Sequence, residues 1–297
     1  MPVSPRSIAV TGLTTALIML TACNQSGPVQ PAELTAPIAA LTCFRENTAS
    51  MLAAHRGGPA PGYPENSLSG LQRLSRLGVL YAEIDVRRSA DGVLYLLHDD
   101  TLDRTTTGAG PTAGQNWADL STHLLQDNQG QRSDETIPTL IEAIELARTN
   151  GLILNLDLKS VPPAEIVRFV HDNTARDHVA IIAYSVDAAA AIHALDPGLL
   201  LSVPHDIDRL ASAGVNLEAS YVWLGTGQID ANADADLATR GIETSAGLFR
   251  REDGTSRPYL DAVSAGVELI SIDNVDAAVS ALGGPEELER QIEACST

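Results

Sequence analysis

The chain has 297 residues, 44% of them hydrophobic but only 4% aromatic, enough for one domain of about 250 residues, the usual size of an α/β barrel, with a core of Ala, Leu, Ile and Val. A formal net charge of −19 argues against nucleic acid or an anionic lipid surface as a partner held by bulk charge, and fits a protein kept soluble by its acidity.

In chain order, residues 1–22 read as a targeting segment. Arg6 supplies a minimal positive region, and Ser7 to Leu20 is apolar but too short to span a bilayer as a permanent helix. The end, Leu20-Thr21-Ala22-Cys23, resembles the lipobox of bacterial lipoproteins. That resemblance implies a signal peptide over 1–22, lipidation of Cys23 and, with Asn24 following, an address on the periplasmic face of the outer membrane, reached through the lipid anchor only. The plainer alternative is a secretory signal with a chance cysteine. Residues 23–48 read as lipidated Cys and tether, rich in Pro, Ala, Gln and Ser as far as about Ala40. The domain proper is 49–297. Export would place Cys43 and Cys295 in an oxidising compartment near the two ends of that domain, either bridged or as two buried thiols.

From residue 50 onward β-like runs alternate with helical patterns. Strands are predicted at 51–55, 81–86, 93–98, 152–158, 179–184, 199–203, 220–224, 242–248 and 268–272, with helices including 65–77, 138–149, 163–174, 187–195 and 275–282. The alternation predicts a parallel sheet closed as a TIM (β/α)8 barrel, although nine strands is one too many. Between Val86 and Val93 there is no room for a crossover helix. Either residues 87–92 run extended back down the barrel, which seven steps of about 23 Å just permit, or Asp91-Gly92 turns a hairpin. The extended return is favoured, because a simple hairpin would carry His98 to the opposite end from Asp85. Asp103 to Ile137, without a clear strand, reads as an insertion after the third strand that caps the site.

The chemistry concentrates in five residues. Glu83 and Asp85, two apart on a strand, share a face, and Asp157 ends another strand at an equivalent rim position. Carboxylates so close repel unless a cation lies between them, and hard oxygen donors suit one divalent cation, Ca²⁺ or Mg²⁺. An isolated Glu-x-Asp would more often pair with a surface arginine such as Arg87. Here the pair lies in an apolar strand between two strand-end histidines, His55 and His98, which can pass protons near neutral pH.

These residues resemble the glycerophosphodiester phosphodiesterase family. The matching pieces are His55-Arg56-Gly57, Pro64-Glu65-Asn66-Ser67, Glu83-Ile84-Asp85-Val86, Asp91-Gly92, His98-Asp99, Leu102-Asp103-Arg104-Thr105-Thr106, Ile137-Pro138-Thr139-Leu140 and Asn155-Leu156-Asp157-Leu158-Lys159. The resemblance implies a metal-dependent barrel enzyme that hydrolyses a small glycerophosphodiester to glycerol 3-phosphate and an alcohol. It makes His55 and His98 the acid/base pair and Glu83, Asp85 and Asp157 the metal ligands. Arg56 and Lys159, the single lysine of the chain, become phosphate contacts, with Glu65 and Asn66 supporting the metal shell. The chain departs from the family in having Asp157 where Glu is usual. It also reads TSAGLF at 244–249 where the family has a Trp-Thr-Val-Asn-like segment, leaving Trp223 and Phe249 as candidate pocket walls. The alternatives are a phospholipase-D-like or phosphoinositide-type phospholipase on the same barrel, and a non-catalytic phosphodiester-binding lipoprotein.

Overall fold

The computed structural model describes residues 1–2 and 36–295; the signal peptide, Cys23 and the tether up to residue 35 lie outside the described residues. In chain order the strands are β1 (Met51–Ala54), β2 (Tyr81–Arg88), β3 (Leu94–Leu96), β4 (Leu124–Gln126), β5 (Arg132–Thr136), β6 (Ile153–Leu158), β7 (Val179–Ile182), β8 (Leu200–Pro204), β9 (Ser220–Trp223), β10 (Glu243–Gly247) and β11 (Leu269–Ile272). The helices that matter below are α1 (Ala36–Glu46), α2 (Leu68–Arg76), α3 (Trp117–Leu120), α4 (Leu140–Asn150), α5 (Pro163–Asp172) and α6 (Val186–His193). Strands β1, β2 and β6 to β11 pair in parallel, and β1 joins both β11 and β2, so eight strands close a TIM barrel. The insertion, Asp103 to Ile137, carries α3 and the small antiparallel pair β4–β5.

Alternation along the strands divides the side chains. Leu52, Ala54, Ala82, Ile84, Leu154 and Leu156 face outward into the layer shared with the helices. Residues facing inward change character with height. The N-terminal ends supply Ala53, Tyr81, Ile153, Ala180, Leu200, Tyr221 and Leu269, an apolar layer, while two residues further along the inward positions turn polar: Glu83, Asn155 and Ser202. The barrel is therefore sealed below and chemically open above.

The segment 23–48 is not tether throughout, because residues 36–46 form α1. Ile38, Leu41 and Phe44 recur at helical spacing and plug the apolar end of the barrel, each at most 3% exposed. Burying three such side chains contributes roughly 1.5–3 kcal/mol apiece, which outweighs the loop-like composition upstream.

The return after Val86 is also a hairpin, not an extended run. β2 and β3 are antiparallel, with Val86 opposite Leu96 and Arg88 opposite Leu94, and Gly92 takes φ +93° in the turn. The expectation failed because it ended the strand at Val86. In fact β2 overhangs the rim by Arg87 and Arg88, so the hairpin turns above the barrel. The returning chain descends until Leu97 N–H donates to the Asp85 carbonyl at 3.1 Å, which delivers His98 to the rim. The strand predicted at 93–98 is thus the ninth, surplus to the barrel.

Cys43 and Cys295 are joined in a disulfide, with Cα atoms 5.6 Å apart and 252 positions between them in sequence. It ties α1 to the C-terminal helix at the sealed end, far along the strands from the polar rim. A loop of that size is worth on the order of 5 kcal/mol in the chain-entropy model, an upper figure. Reductant is expected to lower the melting temperature while leaving initial activity nearly unchanged. Two reactive thiols in the denatured, unreduced protein would contradict the bridge.

Candidate active site

The parallel register of β2 and β6 sets Glu83 beside Asn155 and Asp85 beside Asp157. All four point inward, and one carboxylate oxygen from each of Glu83, Asp85 and Asp157 lies within 4.8 Å of the others. The three residues are at most 7% exposed. Burial, and then the neighbouring Asp85 charge, push the Glu83 carboxyl well above the usual carboxylate range.

Each carboxylate has a fixed partner. Glu83 Oε2 accepts the Arg56 backbone N–H at 2.8 Å, while its buried Oε1 has no hydrogen-bond partner. Asp85 Oδ2 accepts from Asn66 Nδ2 at 2.7 Å, and Asn66 Oδ1 in return accepts the Asp85 backbone N–H. Asp85 Oδ1 has Lys159 Nζ at 2.9 Å, at ion-pair distance but without hydrogen-bond alignment. Asp157 Oδ2 accepts from Lys159 Nζ at 2.6 Å and from the Tyr184 hydroxyl at 2.8 Å. Three buried carboxylates this close, one of them with an unpartnered oxygen in Glu83 Oε1, suit a hard divalent cation.

The local backbone is built for this. Asn66 sits at φ +55°, in the left-handed region, so α2 begins at Leu68 behind the Ser67 cap, not at residue 65 as the pattern predicts, and Asn66 is free to back Asp85. Arg56 is also left-handed at φ +51°, which turns its N–H toward Glu83. Gly58 takes φ +69°, where a side chain is strained, and a Cβ there would also crowd Leu74, Val275 and Ala54.

Both histidines carry a carboxylate on Nδ1. His55 Nδ1 lies 2.7 Å from Asp273 Oδ1, which leaves Nε2 facing the trio, 3.8 Å from Glu83 Oε2. His98 Nδ1 lies 2.7 Å from Asp99 Oδ1. Arg104 grips Asp99 through Nε and Nη2, and grips Glu65 through both Nη atoms at 2.7 and 2.8 Å. Arg104, then His98, hold the Asp99 carboxyl far below its ordinary value. Burial alone would raise Glu65, but Arg104 and Arg56 outweigh it and keep it lowered. Glu65 therefore lies in an arginine clamp, not with the three carboxylates.

Two cavities meet at His55. One, of about 210 Å³, is walled by Glu83, Asp157, Tyr184, Trp223 and Phe249, with Phe249 stacked on His55 at 4.5 Å between centroids. The other, of about 450 Å³, is polar and lined by Arg56, Glu65, Arg104 and Asp273. Tyr184, Asp273, Asp99 and Arg104 were not assigned roles from sequence. For Tyr184, Asp273 and Asp99 the available signal was position, since each lies within three residues of a strand end on the rim; Arg104 lies in the insertion.

A family model described as the glycerophosphoryl diester phosphodiesterase family matches residues 55–212, over half of the chain and inclusive of both histidines, the three carboxylates and Lys159. The chain belongs to this family. A glycerophosphodiester phosphodiesterase from Caldanaerobacter subterraneus is 33% identical over 112 residues, 37% of this chain, and the match spans less than half, 46%, of that curated relative's length. Among solved structures, a glycerophosphoryl diester phosphodiesterase from Parabacteroides distasonis gives a TM-score of 0.76 at 25% identity, over 84% of this chain and 92% of that one. A phosphodiesterase from Oleispira antarctica, solved in complex with the product sn-glycerol-3-phosphate, gives 0.65 at 25% identity, over 80% and 98%. Like these family members, the chain is a TIM barrel.

Proposed function

We propose that the protein is a metal-dependent phosphodiesterase that hydrolyses small glycerophosphodiesters to glycerol 3-phosphate and an alcohol. What supports the reading most is the convergence of two carboxylate-anchored histidines and three buried, closely spaced carboxylates on one rim. Glu83, Asp85 and Asp157 would hold one divalent cation, Ca²⁺ or Mg²⁺, which when bound neutralises charge on the phosphate oxygens. Lys159 and Arg56 add positive charge for the same group. With Nδ1 engaged by Asp273 or Asp99, each histidine works through Nε2. One takes the proton from the substrate's own neighbouring hydroxyl as it attacks phosphorus, the other gives a proton to the departing alkoxide, and water then opens the resulting cyclic phosphate to glycerol 3-phosphate. Export as a lipoprotein anchored through Cys23 belongs to the same proposal and is checked by palmitate labelling.

The test is turnover of glycerophosphocholine and glycerophosphoethanolamine by the purified mature protein. Glycerol 3-phosphate and free alcohol are expected, with activity lost in EDTA and restored by Ca²⁺ or Mg²⁺. Full-rate turnover after exhaustive chelation would remove the metal from the mechanism. No turnover of either diester in the presence of cation would favour a non-catalytic binding protein.

A further inference from the structure

We propose that Tyr184 is a positioning residue for the third carboxylate of the cation site, one that neither motif nor spacing points to. The inference rests on the metal reading above. Asp157 has a short arm, and a carboxylate held by one donor can rotate about its last torsion and exchange its two oxygens. Here two donors converge on the same atom: Oδ2 accepts from Lys159 Nζ at 2.6 Å and from the Tyr184 hydroxyl at 2.8 Å. Lys159 is shared with Asp85, 2.9 Å away, whereas the Tyr184 hydroxyl serves Asp157 alone. Two donors on Oδ2 stop the carboxylate from turning, so it keeps one orientation toward Glu83 and Asp85, whose oxygens come within 4.8 Å of it.

The ring is not placed by burial. Tyr184 is 72% exposed, the most exposed large hydrophobic side chain between residues 36 and 295. Its backbone is fixed instead. On one side the Ala183 N–H donates to the Ser202 carbonyl at 2.8 Å, and on the other Ser185 caps α6 through the Ala188 N–H. A surface tyrosine with no task would leave its hydroxyl in water; this one folds back into a barrel mouth lined with acids. Partners that orient a ligating carboxylate are typically worth 10–100-fold in metal affinity.

The experiment is calorimetric titration of the metal-stripped full protein with CaCl₂ and with MgCl₂, for wild type, Tyr184→Phe and Tyr184→Ala. The phenylalanine variant keeps the ring and loses only the hydroxyl. Both variants are expected to bind about tenfold more weakly than wild type, with unchanged melting temperatures in EDTA. The cation concentration for half-maximal activity should rise by the same factor. Wild-type affinity in Tyr184→Phe, with loss only in Tyr184→Ala, would overturn the proposal by assigning the effect to the ring. A wild-type protein that binds neither cation would overturn the metal reading itself and the proposal with it, a result distinct from a tyrosine without effect.

Discussion

Alanine at His55 or at His98 is expected to lower kcat by about 10²–10⁴-fold, the usual contribution of a positioned general acid or base. Neither change should disturb the fold. The two side chains are 27% and 31% exposed at the rim, so truncation removes no core volume, and melting temperatures should stay close to wild type. The double variant should be little worse than either single one, because the two groups serve one transfer of a proton in and a proton out. Losses that multiply would indicate two independent roles. Near wild-type turnover in His98→Ala would leave His55 as the sole proton carrier. The anchoring carboxylates give a graded control. Asp273→Asn should cost less than His55→Ala, since it loosens the imidazole without removing it. Asp99 is further fixed by Arg104, so Arg104→Met should act on His98 through Asp99 and, by freeing Glu65, on the polar cavity as well.

The barrel was legible because its strands are short, apolar and separated by helix-period segments, and because inward positions on β2 and β6 carry acids where a core would carry leucine. That the two histidines and three acids gather on one rim was legible for the same reason: charge at the end of an apolar run has few structural explanations. What could not be read depends on where strands end. Nothing in Val86-Arg87-Arg88 announces that β2 overhangs the barrel, yet that overhang decides whether a hairpin separates or unites His98 and Asp85. Composition also misled at the N-terminal side. Pro, Ala and Gln up to about Ala40 suggested tether, while three apolar residues at spacing three, Ile38, Leu41 and Phe44, were enough to make a plug once the barrel offered an open apolar end. Asn66 illustrates a third kind of limit. Its left-handed backbone is incompatible with the helix that periodicity extended over it, and it is held there by its own N–H on the Arg56 carbonyl and by its side chain on Asp85.

Glu83→Gln separates the cost of the carboxylate trio from its use. The oxygen that accepts the Arg56 N–H can be kept by the amide, so the rim backbone should hold its shape. Cation binding should be lost, and activity should fall by more than about 10²-fold, because the carboxylate lost is the one nearest the His55 Nε2. Stability should move the other way in the metal-free protein. Burial and the Asp85 charge raise the Glu83 carboxyl above its unfolded value, so the folded state binds that proton more tightly than the unfolded chain does. A group of that kind contributes stability at low pH and loses it as pH rises through the raised value, and Gln abolishes the loss. In EDTA the variant should therefore melt at or above wild type at pH 8, with the difference shrinking toward pH 5. Added cation should reverse the order. At a hundred times its dissociation constant a cation stabilises wild type by about 2.7 kcal/mol, roughly 5–10 °C for a domain of this size, and leaves the variant where it was. A Glu83→Gln protein that melts well below wild type in EDTA at pH 8 would mean that the charge supports the fold directly, and a cation-induced rise equal in both would mean that Glu83 is not a ligand.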